Sequence, residues 1–129
     1  MTPEVIAISH YLNSIPDIRQ AYLFGSLAKG AARMESDADI AISTSHPLLP
    51  EQRLELIEQL AALSGRAVDL IDLNLAGEPL LGEILNHGIR LKGTDSQHAE
   101  LIKRHIFDSE DFLPYVRRML KERRQSWTA

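Results

Sequence analysis

The chain has 129 residues, enough for one domain with a hydrophobic core, and its 44% apolar and 25% charged residues are typical of a globular protein. It has no cysteine, which excludes disulfides and thiolate metal sites, and its net charge of -4 gives no general reason to expect nucleic-acid binding. No apolar run approaches the ~18 residues of a membrane-spanning helix and no leader opens the chain, so we expect a cytoplasmic protein.

The first predicted element is a helix. The stretch Thr2-Pro3-Glu4 combines a capping hydroxyl, a proline at the first helical position and an acid near the positive end of the helix dipole. Apolar residues at helical spacing follow until Pro16, which stops the run. Residues 18–24 are then predicted as a strand that stops at Gly25, and residues 26–33 as a short helix.

The later elements alternate between strand and helix. Residues 39–44, 67–73 and 89–92 are predicted strands, and helices are predicted around residues 56–63 and 79–87. This order predicts an α/β (α+β) domain with helices packed on a small sheet.

The C-terminal part is predicted to be helical. Ile102, Ile106 and Leu120 belong to an apolar stripe with a 3.6-residue period that crosses Pro114, which predicts one kinked helix or two abutting ones. His98 and His105 share a face of this helix but lack a carboxylate or third ligand at metal spacing, so we expect them on the surface. The same part carries a basic run, which is either a solvated helix face or a partner-binding surface. Its basic residues are Arg117, Arg118, Lys121, Arg123 and Arg124.

A glycine and a serine, Gly25 and Ser26, follow the first predicted strand directly. A helix N-terminus exposes unpaired N–H groups and the positive end of the dipole, which suits an anion such as phosphate. Glycine lets the backbone approach that anion closely, and serine adds a hydroxyl donor. Gly-Ser is also ordinary turn chemistry, so this pair alone leaves both interpretations open.

Two acids, Asp37 and Asp39, lie at the start of the second predicted strand. Strand residues two apart point to the same face, and at about 4 Å, with an effective dielectric constant near 20, two carboxylates repel by roughly 4 kcal/mol. Water, a shared proton, basic partners or a hard cation such as Mg²⁺ would relieve that repulsion. Three other motifs are excluded: Ala41 breaks an EF-hand loop, Ala31 replaces the lysine of a P-loop, and Leu27 replaces a glycine of the dinucleotide fingerprint.

The combination of these residues is more specific than its parts. Gly25-Ser26, ten residues, Asp37-x-Asp39 and then Asp69 on a later apolar strand resemble the nucleotidyltransferase superfamily of DNA polymerase beta. The chain length and the segment EPLLGEILNHGIRLKG (residues 78–93) resemble the minimal nucleotidyltransferases, the MNT partners of HEPN proteins in bacteria and archaea. The resemblance implies a nucleotidyltransferase fold with a small mixed sheet and a minimal core at residues 1–93. Residues 94–129 would form a long C-terminal helical segment of the same domain.

The resemblance also implies roles for individual residues. Asp37 and Asp39 would hold Mg²⁺ or Mn²⁺ against the nucleotide phosphates, and Asp69 would orient a metal and help to activate the attacking hydroxyl. Asp72 is a rival for Asp69, but two residues three apart in a regular strand face opposite ways, so only one of them can join the cluster. Gly25 and Ser26 would bind phosphate, as would Lys29. Leu27 departs from the family, which often has a basic residue there.

The function implied by the resemblance is transfer of AMP from ATP to a hydroxyl, such as a tyrosine of a cognate HEPN ribonuclease toxin, so that the chain acts as an antitoxin. Three alternatives stay open at this point. The chain could neutralise its partner by stoichiometric binding without turnover, modify a small molecule, or keep the acids in a catalytically inactive domain. Neither a membrane nor a nucleic acid is expected as a partner.

Overall fold

The structure is a computed structural model that describes residues 1–109 and 117–123. Its first helix begins as the sequence predicts: the Thr2 hydroxyl accepts a hydrogen bond from the Val5 N–H at 3.3 Å, and Pro3 is the first helical residue. The described elements follow in the order α1 (Pro3–Asn13), β1 (Ile18–Phe24), α2 (Gly25–Ala28), β2 (Ala38–Thr44), α3 (Pro50–Ser64), β3 (Val68–Asp72), α4 (Leu80–His87), β4 (Ile89–Lys92) and α5 (Asp95–Asp108).

The four strands form one mixed sheet in the order β3-β2-β1-β4. Strand β1 is antiparallel to both β2 and β4, whereas β2 and β3 are parallel. The parallel pair is in a register that places Asp39 opposite Asp69, and the antiparallel pair places Phe24 opposite Asp39. The sheet therefore brings the end of β1 and the starts of β2 and β3 to one edge.

Helices cover both faces of this sheet. On one face, Leu12 of α1 and Leu60 of α3 pack with Ile40 of the central strand β2 in one buried cluster. On the other face, Ile84 of α4 and Leu101 of α5 pack in a second cluster with β1 and β2 side chains. Alternate residues of β1 and β2 thus enter different clusters, as the two-residue period of a strand requires. The predicted α/β (α+β) class with helices packed on the sheet is confirmed.

Helix α2 is shorter than predicted. The sequence predicts a helix over residues 26–33, but α2 ends at Ala28. Gly30 lies at φ +71°, in the left-handed region, and this conformation turns the chain out of the helix. The small, alanine-rich composition of the segment favoured a helix, but the chain has to leave α2 early to reach the start of β2.

Helix α5 ends at Asp108, after which Ser109 is extended (φ -77°, ψ 168°), and residues 117–123 are again helical. The predicted kink or helix junction at Pro114 lies outside the described residues, as does Arg124. The stripe predicted the helix at Ile102 and Ile106 correctly, but its described members do not enter the core, since Ile102, Ile106 and Leu120 are 39%, 56% and 53% exposed. Leu101 is the residue that packs on the sheet. Among the described residues, no helix is long and apolar enough to cross a membrane.

Both histidines of α5 have partners, so the expectation of a plain surface role was wrong. His98 stacks on the buried Tyr22 ring with a centroid distance of 5.7 Å, and its Nδ1 lies 2.6 Å from the Tyr22 hydroxyl. His105 Nδ1 lies 2.6 Å from Glu78 Oε1, just before α4. These contacts connect α5 to β1 and to the start of α4.

Helix α3 offers a matched pair of leucines that tests this packing. Leu60 is 0% exposed in the first cluster, whereas Leu54 on the same helix is 55% exposed. We expect Leu60→Ala to lower the free energy of unfolding by about 2–5 kcal/mol, because it removes buried methyl groups and leaves a cavity. Leu54→Ala should change it by no more than about 0.5 kcal/mol. Urea denaturation of both variants measures the difference, and equal losses would contradict the placement of α3.

Candidate active site

The site is built around a close contact between Gly25 and Asp39. Gly25 follows β1 directly, lies at φ +71° and begins α2. A Cβ atom built on Gly25 would lie only 2.2 Å from Oδ2 of Asp39, so the carboxylate occupies the space that any other side chain would need. The backbone conformation and this contact both require glycine here.

Three acids meet at this edge of the sheet. Asp37 immediately precedes β2, Asp39 lies within β2, and the parallel register sets Asp69 of β3 opposite Asp39. Asp37 and Asp69 are exposed, whereas Asp39 is partly buried. Burial raises the pKa of Asp39, and the negative charges of Asp69 and Asp37 raise it further. The structure thus brings together the three acids that the sequence analysis selected.

Asp72 lies elsewhere. It pairs in register with Ile42 rather than with Asp39, and its Oδ1 accepts a hydrogen bond from the Asn74 N–H at 2.9 Å. It lines a cavity of about 160 Å³ together with Arg53 of α3. The strand period therefore separates Asp72 from the acid cluster, as the sequence analysis reasoned.

Ser26 and Lys29 flank the cluster on α2 and just after it. Ser26 is partly buried, and within residues 1–109 and 117–123 its hydroxyl makes no hydrogen bond. Lys29 Nζ lies 2.6 Å from Glu83 Oε1 of α4, and the hydrogen bond from Lys29 lowers the pKa of Glu83. An anion that binds Lys29 would therefore have to compete with Glu83 or share the ammonium group with it.

The donor set suits a hard cation. Carboxylate oxygens are the ligands that Mg²⁺ and Mn²⁺ accept, and Mg²⁺ is usually held by one or two carboxylates with phosphate and water completing its shell. In the described part of the chain, no group of three or more His, Asp or Glu side chains is arranged to hold a metal ion. The acids Asp37, Asp39 and Asp69 therefore fit an incomplete ligand set that needs oxygens from a substrate or water.

Two residues near the site were missed by the sequence analysis. Glu83 contacts Lys29, and Arg66, just before β3, donates a hydrogen bond to the Ser36 carbonyl at 3.0 Å, next to Asp37. Their partners lie far away along the chain, so no local spacing could identify either residue.

Comparisons with known proteins agree with this geometry. The family model described as "Polymerase beta, Nucleotidyltransferase" matches residues 7–97, which include all three acids. Over 82 residues the chain is 37% identical to the protein adenylyltransferase MntA of Shewanella oneidensis. That match covers 64% of this chain and 59% of the relative, so the chain spans less than two thirds of the curated relative's length.

Solved structures are similar over nearly the whole chain. A chain in a toxin-antitoxin crystal structure with AMP-PNP is 28% identical, with a TM-score of 0.65, over 97% of this chain and 93% of that one. A chain in a structure of tri-AMPylated Shewanella oneidensis HEPN toxin in complex with MNT antitoxin is 25% identical, with a TM-score of 0.61. That similarity covers 97% of this chain and 95% of the other.

Two glycines with the same backbone conformation test the contact at Gly25. Gly25 and Gly30 both lie at φ +71°, but an added Cβ meets Asp39 only at Gly25, since no heavy atom lies within 4 Å of it at Gly30. Each alanine variant should lose about 1–2 kcal/mol of stability from the left-handed backbone. Gly25→Ala should also displace the Asp39 carboxylate and lower its pKa towards the ordinary value, as measured by carbon-detected NMR titration. An unchanged Asp39 titration in Gly25→Ala would contradict the close contact.

The raised pKa of Asp39 predicts a pH dependence of stability. The folded chain holds the Asp39 proton to higher pH than the unfolded chain, whose carboxyl titrates near 3.8. The wild type therefore loses stability as the pH rises between these two pKa values, and the loss persists at neutral pH. Asp39→Asn should consequently unfold at a higher urea concentration than the wild type at neutral pH, with the difference shrinking as the pH falls. Asp69→Asn should give a smaller change of the same sign, and a less stable Asp39→Asn would contradict the prediction.

Proposed function

The chain belongs to the polymerase beta nucleotidyltransferase family, and we propose that it transfers AMP from ATP to a hydroxyl group of a HEPN toxin protein. The observation that carries this proposal is the single edge of the sheet where Gly25, Asp39 and Asp69 meet. A cluster of three acids destabilises a fold through like-charge repulsion, and a bound cation offsets that cost.

The nucleotide would lie with its phosphates against Gly25 and Ser26. The Asp39 carboxylate fills the space beside the Gly25 Cα, so the phosphates would meet the backbone N–H groups at the start of α2, and the Ser26 hydroxyl is available as a donor. Lys29 would contribute a positive charge after it exchanges Glu83 for a phosphate oxygen. The relatedness to a structure that contains AMP-PNP supports ATP as the nucleotide.

Mg²⁺ or Mn²⁺ is the proposed cofactor, with Asp37, Asp39 and Asp69 as its protein ligands. When bound, the cation would neutralise charge on the phosphates and polarise the phosphorus that is attacked. The raised pKa of Asp39 fits this role, because a nearby cation favours the ionised carboxylate and removes the cost of its burial.

The reaction we propose is a displacement at the α-phosphorus. The acceptor oxygen forms a bond to this phosphorus while the bond from the phosphorus to the bridging oxygen of the β-phosphate breaks, and pyrophosphate leaves. Asp69, which is exposed, would take the proton of the acceptor hydroxyl. A tyrosine is a suitable acceptor, since its phenol has a pKa near 10 and loses its proton more readily than an aliphatic alcohol.

The proposed partner is a HEPN toxin, which supports an antitoxin role for this chain. The support is the similarity to an MNT antitoxin structure that contains an AMPylated toxin, and to a relative named as a protein adenylyltransferase. We place this activity in the cytoplasm, where ATP is abundant. We further propose that residues 1–93 form the catalytic core and that residues 94–129 complete the same domain, since Leu101 packs on the core.

Transfer with a molar excess of toxin tests the proposal. With Mg²⁺ and ATP, a small amount of this protein should add one or more AMP groups to the excess toxin, seen as discrete mass increases of the intact toxin. Asp37→Ala plus Asp39→Ala should abolish both Mg²⁺–ATP binding and transfer, because the cation loses its proposed ligands.

A matched pair of acids on the same strand sharpens this test. Asp69→Asn should abolish transfer while much of the nucleotide binding remains, whereas Asp72→Asn, on the opposite side of β3, should stay active. Inhibition of the toxin that needs one copy of this protein per toxin, ignores ATP and survives loss of the acids would instead establish a non-catalytic binding role.

A further inference from the structure

A partly buried arginine, Arg66, ties three parts of the fold together next to the acid cluster. Its side chain is 12% exposed, and its Nε donates to Oε2 of Glu4 on α1 at 3.2 Å. Its Nη1 donates to two backbone carbonyls, those of Arg33 and Ser36, the latter at 3.0 Å. The guanidinium therefore joins α1, the loop between α2 and β2, and the start of β3.

The turn that Arg66 holds lies between two anchored residues, Ala32, which packs against the first buried cluster, and Ala38, which begins β2. Residues 33–35 are exposed, and Met34 is 92% exposed. The turn is closed locally, since the Ser36 N–H donates to the Arg33 carbonyl at 3.1 Å and the Arg33 N–H donates to the Ser36 hydroxyl at 2.8 Å. These bonds fix the shape of the turn but do not fix its position relative to the sheet. Arg66 supplies that connection at both ends of the turn.

The position of this turn determines where Asp37 lies. The Ser36 carbonyl that accepts from Arg66 belongs to the peptide bond that leads into Asp37. One residue later, the Ala38 N–H donates to the Ala67 carbonyl at 2.8 Å, which begins the pairing of β2 with β3. Residues 66 and 67 thus hold the chain on both sides of Asp37, and the same short segment leads into Asp69.

We propose that Arg66 is a positioning residue that fixes Asp37 against Asp39 and Asp69 and thereby sets the affinity for the cation–nucleotide complex. This inference rests on the proposed function for its ligand, but its structural part does not depend on ATP. Glu4 completes the arrangement, because it neutralises the guanidinium and holds it from the side of α1.

The geometry requires arginine rather than any cation. A planar guanidinium presents several N–H donors in fixed directions, so one side chain can serve a carboxylate and two carbonyls together. The single ammonium group of lysine keeps the charge but cannot reproduce this arrangement. Arg66→Lys therefore separates the positioning effect from the charge effect.

Arg53 of α3 provides a matched control, because its guanidinium also donates to a backbone carbonyl of another segment. It also holds β3 from a neighbouring element, since its Nη2 donates to the Leu70 carbonyl, but it lines the cavity at Asp72 rather than the acid cluster.

Calorimetric titration of the full chain with Mn²⁺–ATP should give a Kd about 10-fold higher for Arg66→Lys, the lower end of the loss typical when a residue that supports a metal ligand is changed. Arg53→Lys should bind like the wild type. Glu4→Gln should weaken binding less than Arg66→Lys and in the same direction.

Kinetics and hydrogen exchange complete the test. Saturating Mn²⁺–ATP should largely restore kcat to Arg66→Lys, so that its defect lies in KM. The Ser36 and Ala38 amides should exchange faster in Arg66→Lys than in Arg53→Lys. Equal Kd values for Arg66→Lys, Arg53→Lys and the wild type would overturn the positioning role while leaving the proposed function intact. If the wild type bound no Mn²⁺–ATP, the proposed function would fail. In that case, equal exchange of the Ser36 and Ala38 amides in Arg66→Lys and Arg53→Lys would overturn the positioning of Asp37 as well.

Discussion

The site depends on one physical constraint, a carboxylate held against a glycine at the end of a strand. Asp39 is partly buried, faces two other acids, and fills the space in which a side chain at position 25 would lie. Such an arrangement costs folding free energy, because a charge is both desolvated and placed near like charges. The acid cluster is nonetheless held in place by the parallel pairing of β2 with β3 and by the hydrogen bonds of Arg66. The acid cluster therefore lowers the free energy of unfolding, and perturbed pKa values of this kind are common at functional sites.

The two-sided cover of the sheet provides the rigidity that this arrangement needs. Leu60 and Leu101 lie in clusters on opposite faces, so the central strands β1 and β2 are fixed from both sides. The acids lie where β1 ends and where β2 and β3 begin, and there Asp37 and Asp69 remain exposed to solvent. A rigid support for reactive groups at an open edge is the arrangement expected of a site that must both bind a charged ligand and admit a second reactant.

Local chemistry in the sequence predicted most of the fold. The bounds of β1 and β4 were predicted without error because glycines mark the ends of these short segments, and the start of α1 followed from the capping chemistry of Thr2 and Pro3. Errors arose where tertiary contacts override local preference: α2 ends early, and α5 packs through Leu101 rather than Ile102. The meeting of Asp39 with Asp69 was implied by the family resemblance, whereas the roles of Glu83 and Arg66 depend on contacts between distant segments that no periodicity encodes.

The location of β3 has a consequence for the size of the second reactant. Within the described residues, β3 is the outermost strand beside β2, and Asp69 on it is exposed. A hydroxyl carried on the surface of a folded protein can approach such a strand from the side, without being threaded into an enclosed cleft. Under the proposed function, selectivity for such an acceptor would come from the docking of two protein surfaces rather than from a pocket that encloses the hydroxyl.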